Sequence, residues 1–204
     1  MSGLPRQHLG LAALSLSLSL SLSLLLLIAC ARKDEGRSKE EAASTTGEAP
    51  KPLVAKATLR PSTRANVHGT VIFTQNGNMV TVVAHVEGAK PGLHGFHVHE
   101  IGDCTALDFS SAGNHFNPGG AVHGAPADAT RHAGDLGNID IGPDGSGHLE
   151  LKTDHLTVAD GPNSVVGRAI ILHEQADDLG SQPAGNAGAR EACGVVEFET
   201  TAIH

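Results

Sequence analysis

The sequence predicts an all-β fold, an antiparallel barrel or sandwich carrying two long loops. Three observations predict it: short apolar or alternating runs recur between turn signals, no stretch has the period of a long helix, and aromatic residues are scarce. With no Trp, no Tyr and five Phe, a chain that is 40% apolar must build its core mainly from Val, Ile, Leu and Ala, and its 25 Gly imply many turns. Its 204 residues suit one domain or two small ones. A formal charge of −8, with no cluster of Lys and Arg, argues against a nucleic-acid partner.

The first element is a leader. Arg6 and His8 precede the uncharged run "LAALSLSLSLSLSLLLLI", Leu11 to Ile28, and then Ala29 and Cys30. The Leu-Ser alternation would suit a strand, but a basic lead, an apolar segment and a small residue before the break describe an export signal. An uncleaved membrane anchor is the competing reading, since the run is just long enough to span a bilayer. The segment "LIAC" resembles the lipobox of bacterial lipoproteins, which implies a signal peptide over 1–29 and lipidation of Cys30. That resemblance implies a bacterial envelope protein, periplasm-facing and held at the membrane only by its lipid; Ala31 after the Cys points to the outer membrane. Residues 30–52 follow with five acids, five bases and almost no large apolar side chain, too little to bury, so they read as a disordered tether. The domain is then 53–204, where 17 acids against 8 bases give −9.

Within the domain, the runs "VHGTVIF", "MVTVVAHVEG", "GFHVHE", "GHLELKT", "VVGRAIILHE" and "CGVVEFE" read as strands. The breaks "NGN", "AKPG", "GPDGSG" and "DGPN" suit tight turns. Gly102 to Gly137 and Asp177 to Ala189 carry no strand pattern, and long irregular segments in a compact domain are usually functional.

The chemistry begins in "LHGFHVHE". On a strand, His97 and His99 share a face while Phe96 and Val98 take the other, and His94 is out of phase with the pair. Two strand histidines alone are weak evidence of a metal. The loop downstream adds His115, His123, His132 and Asp135 within 21 residues, three imidazoles and a carboxylate suited to tetrahedral zinc. A further imidazole ends "AIILH" at His173.

Together with "SAGNHFNP", "RHAGDLGN", "ILHEQADDLG" and "GNAGAREACGVV", these motifs resemble the copper/zinc superoxide dismutases over essentially Leu53 to Phe198. The resemblance implies an eight-stranded Greek-key barrel with a zinc and disulfide loop and a short electrostatic loop. It implies one copper and one zinc per subunit: copper on His97, His99, His115 and His173, zinc on His115, His123, His132 and Asp135, with His115 bridging. Such a division suits the nearly planar nitrogen set preferred by Cu(II) and the tetrahedral N and O set accepted by Zn(II). Asp177 becomes the carboxylate that orients ligands of both metals, and His94 a framework residue bonded to backbone. Cys104 and Cys193 become a disulfide, which closes a long loop and contributes roughly 4 kcal/mol in the chain-entropy model. His68, His85, His148, His155 and His204 have no partner at ligand spacing and read as surface or cross-strand residues.

The implied activity is the conversion of two superoxide anions and two protons to dioxygen and hydrogen peroxide, with His115 carrying a proton. Arg190 in "AREACG" matches the family's arginine that holds the small anion. Because the domain is acidic overall, attraction must be local. The eleven residues between Asp178 and Arg190 carry no charge, which predicts weaker electrostatic steering than in eukaryotic members. A non-enzymatic envelope copper/zinc-binding or copper-delivery protein of the same fold is the alternative, although such domains usually lack a copper ligand or the arginine. Homodimerisation is left open.

Overall fold

The computed structural model describes residues 51–199. The leader, Cys30 and most of the tether therefore lie outside the described residues, as do His8 and His204. Among the described residues no helix is long and apolar enough to cross a membrane.

Eight strands close into one antiparallel barrel: β1 Leu53–Pro61, β2 His68–Asn76, β3 Met79–Glu87, β4 Gly92–His99, β5 Asp135–Ile141, β6 Gly147–Thr153, β7 Ala169–His173 and β8 Arg190–Phe198. Around the wall the order is β1, β2, β3, β6, β5, β4, β7, β8, and β8 pairs with β1 to complete the ring. The chain leaves β3 for β4, three places round the wall, and β6 returns to β3; these crossings are the Greek key. Closure leaves no open sheet edge.

Strand alternation explains the core. Val80, Val82, Ala84 and Val86 of β3 are buried, and so are Ala55, Ala57 and Leu59 of β1, with polar or exposed neighbours between them. Phe73, Phe96 and Phe116 join a cluster otherwise built from Val, Ile, Leu and Ala.

Two strands escaped the sequence reading. In β1 the inward side chains are mostly small alanines alternating with Lys56, Thr58 and Arg60, so the apolar signal is faint. β5 begins at Asp135, inside the stretch expected to be irregular up to Gly137, whose positive φ of 77° hides the strand. The run "VVGRAIILHE" also yields less strand than expected. Gly167 turns the chain with φ 77°, and β7 starts only at Ala169.

Candidate metal centre

The site begins on β4 and β7, which lie side by side with His97 opposite Ile171 and His99 opposite Ala169. A register shift between Gly95 and His97 and another between Leu172 and His173 break the ladder where the imidazoles begin. Gly95 is required there, because a Cβ would lie 2.7 Å from that of Ala187 and 3.1 Å from His97 Cε1. The loop 100–134 then crosses the end of β4. His115 forms an isolated antiparallel bridge with His99, and the amides of Phe116 and Val98 bind Val98 O and Gly134 O.

The folded chain gathers the expected residues into two groups that share His115: His97, His99, His115 and His173, and His115, His123, His132 and Asp135. In each group the donor atoms lie within 4.8 Å of one another, and every member is buried. The ring nitrogens divide between the groups in an ordered way. His97 and His123 each donate through Nε2 to Asp177, to Oδ2 at 2.8 Å and Oδ1 at 2.9 Å. That leaves His97 Nδ1 and His123 Nδ1 buried without a hydrogen-bond partner, one facing each group. His99 Nδ1 donates to Gly113 O and His173 Nδ1 to Gly188 O, so the two Nε2 atoms face each other 3.4 Å apart. His115 points Nδ1 at Asp135 Oδ1, 2.8 Å away, while its Nε2 is buried and unpartnered.

This donor set fits metal ions. An orphaned buried nitrogen is costly unless something takes its lone pair, and here three such nitrogens point inward. Around Asp135 Oδ1, the Nδ1 atoms of His115, His123 and His132 lie at 2.8, 3.0 and 3.2 Å. Zinc bonds of 2.0–2.1 Å at tetrahedral angles need ligand edges of about 3.3 Å, close to that spacing.

Electrostatics separate the groups. Burial pushes His97 and His99 well below the ordinary imidazole range, with the neighbouring His115 and His173 adding to it. Burial likewise carries His173 down to about 3. These rings are neutral at ordinary pH, the state in which an imidazole can ligate a metal. Burial also opposes charge on His123, but the Asp177 and Asp135 carboxylates outweigh it and raise that histidine. For Asp135 burial would raise the carboxyl, yet hydrogen bonding and charge from His115 hold it at about 2, so it is an anion.

Arg190 opens β8 beside these rings. Its Nη1 donates to Phe109 O and its Nη2 to Gly113 O, the carbonyl that also receives His99 Nδ1. Phe109 packs with Ala112 in a buried cluster against the Cys104–Cys193 disulfide, whose Cα separation is 5.9 Å. A cavity of about 470 Å³ is lined by His99, His115, His173 and Arg190 together with Pro183, Ala184 and Gly188.

Against these features the comparisons become decisive. The family model described as "Copper/zinc superoxide dismutase (SODC)" matches residues 67–196. The chain belongs to the copper/zinc superoxide dismutase family. It is an oxidoreductase acting on superoxide, with copper and zinc as its cofactors. It is 46% identical over 144 residues to a protein from Brugia pahangi named "Extracellular superoxide dismutase [Cu-Zn]", an alignment covering 66% of this chain and 71% of that one. Among solved structures it resembles the clock protein EA4, at 40% identity with a TM-score of 0.66, covering 72% of this chain and 96% of that one.

His94 stands apart from both groups. Its Nδ1 faces His173 O at 2.7 Å and its Nε2 faces Lys90 O at 2.8 Å, pinning β4 to the backbone of β7. Two residues contribute that the sequence did not single out. Asn138 brackets the Asp177 backbone, donating Nδ2 to its carbonyl and accepting its amide. Gln182 does the same for His123. Both pairs span 39 residues or more, and an amide side chain carries no mark of such a partner. Gly185 completes the cover: with φ 66°, it passes so close to Asp177 Oδ1 that a Cβ there would overlap it.

Proposed function

We propose that this family member binds copper through His97 Nδ1, His99 Nε2, His115 Nε2 and His173 Nε2, and zinc through the Nδ1 atoms of His115, His123 and His132 with Asp135. The unpartnered, inward-facing nitrogens of His97, His115 and His123 carry this assignment. When bound, copper supplies an electron acceptor and donor between Cu(II) and Cu(I), so that one superoxide is oxidised to dioxygen and the next reduced to peroxide. The residues handle position and protons. Arg190, its guanidinium fixed by two carbonyls, holds the anion in that cavity through charge and donor geometry. His115, which lines that cavity, takes and returns one proton at Nε2, while its Nδ1 faces Asp135. Water brings the second proton. Asp177 fixes the tautomers of His97 and His123 together, coupling the orientation of the two groups.

Reconstitution with both metals followed by a superoxide-consumption assay tests this reading. Activity that vanishes on copper removal and returns on copper addition is expected; a rate independent of copper overturns it. The non-enzymatic alternative has no observation in its favour.

The chain works outside the cytoplasm in this reading, in keeping with the leader pattern and with the printed name of the Brugia pahangi relative. The finer organisation rests on the sequence: a signal over 1–29, a lipidated Cys30 with its tether to residue 52, and a catalytic domain over 53–204. Incorporation of a labelled fatty acid, abolished by Cys30→Ala, is the expected result; a Cys30→Ala chain labelled as well as the parent overturns the anchor.

A further inference from the structure

Of the eleven described histidines, six belong to the two buried groups, while His94 sits on carbonyls, His68 faces Glu87 and His155 faces Arg131. His85 and His148 remain, and they face each other. They are direct partners across the β3–β6 ladder, both on the outer, solvent-facing side of strands whose inward residues fill the core. Their ring centroids are 4.6 Å apart and their Nδ1 atoms 3.4 Å apart.

As a hydrogen bond that contact is long, beyond the usual 2.7–3.2 Å for nitrogen donors. As the edge of a coordination shell it is well sized. Two bonds of about 2.05 Å span about 3.4 Å at a tetrahedral angle and about 2.9 Å at a right angle, so zinc fits directly and copper after a small closing of the rings. The ladder fixes both Cα positions, so the second imidazole is delivered at high local concentration once the first has bound. Glu87 and Glu150 lie two residues along the same outer rows, one diagonal to each ring, and add negative charge without occupying the pair.

We propose that His85 and His148 form a third metal site, taking one divalent transition ion with imidazole preference, Zn(II) or Cu(II), with water completing its shell. In the wall order β3 lies opposite β7, which carries His173, so the apolar core separates this site from the central groups. The site is independent of the assignment of the central ligands, and loss of one leaves the other intact.

The full-length chain, loaded at its central sites and verified by metal analysis, is titrated separately with Zn(II) and Cu(II) in equilibrium dialysis. One additional equivalent per chain is expected in at least one arm, which also identifies the ion. Binding weakens by about tenfold or more in His85→Ala and in His148→Ala, as expected for loss of one of two preorganised ligands, with superoxide consumption unchanged. In the copper arm, electron paramagnetic resonance should show two nitrogen ligands. The proposal is overturned if neither ion binds beyond the central equivalents, or if the extra equivalent survives in the His85→Ala/His148→Ala double variant.

Discussion

The wall built from β1, β2, β3 and β6 and the wall built from β4, β5, β7 and β8 use the same antiparallel ladder to different ends. In the first, β2 and β3 pair without a break from His68–Glu87 to Asn76–Met79, and β3 and β6 run equally regularly. Its inward residues are apolar and its outward ones solvated. In the second, the register shifts twice, and the buried residues include His94, His97, His99, Asp135 and His173. Apolar burial supplies rigidity without regard to which atoms meet. Polar burial demands specific partners, and the second wall obtains them from long loops, a disulfide and close glycine contacts. The regular wall is thus a frame, and the irregular wall a site that leans on it.

Four experiments test that contrast. The largest effect belongs to His115→Ala, which removes the residue common to both groups. Activity should fall by about 100- to 10,000-fold, the range for loss of positioned proton transfer, with reduced content of both metals. Full activity with full metal loading would dismantle the shared-residue assignment.

Phe73→Ala acts on the frame. Phe73 is fully buried, and its truncation should cost about 3–5 kcal/mol in denaturant unfolding. Activity per metal-loaded molecule should not change below the transition; a parallel loss of rate would mean that the two walls are not separable.

Cys104→Ser should cost about 2–5 kcal/mol, and it should also slow turnover, because the loop that carries Phe109 and Gly113 positions Arg190 and His99. Equal stability loss with an unchanged rate would confine the disulfide to the frame.

The smallest effect is a pH dependence of the metal-free chain. Burial holds His173 at about 3 against an ordinary 6.5, so the unfolded state takes up a proton first as pH falls. Stability is therefore lost progressively below about 6.5. Asp135, at about 2 against 3.8, extends the loss below pH 4 for the opposite kind of group, since its favoured anion must be protonated. Thermal melts from pH 7 to pH 3 should show this decline in the metal-free chain. A flat profile would contradict the neutral, buried state of His173.

Legibility followed the same division. Strands whose inward residues are mostly β-branched and apolar, such as β3, announced themselves by alternation, whereas β1 hid behind alanines and β5 behind Gly137. In the candidate site, spacing on one strand was readable for His97 and His99 because a strand fixes side-chain direction locally. His115, His123, His132 and Asp135 were readable as a ligand-rich loop. Nothing local could mark Asn138 or Gln182, which act through backbone groups far along the chain.

By itself the sequence determined the alternation that makes a β wall, the places where it must turn, the stock of imidazoles and carboxylates, and a pattern of motifs specific to one family. Those are properties of neighbouring residues, governed by backbone geometry. Only the tertiary structure decided which nitrogen of each ring is tied to Asp177, Gly113 or Gly188 and which is left facing inward, how two carbonyls hold Arg190, and that His85 and His148 meet across a ladder. These depend on barrel closure, which pairs residues as distant in the chain as Ala55 and Phe198, and no local preference encodes the ångström-scale distances that result.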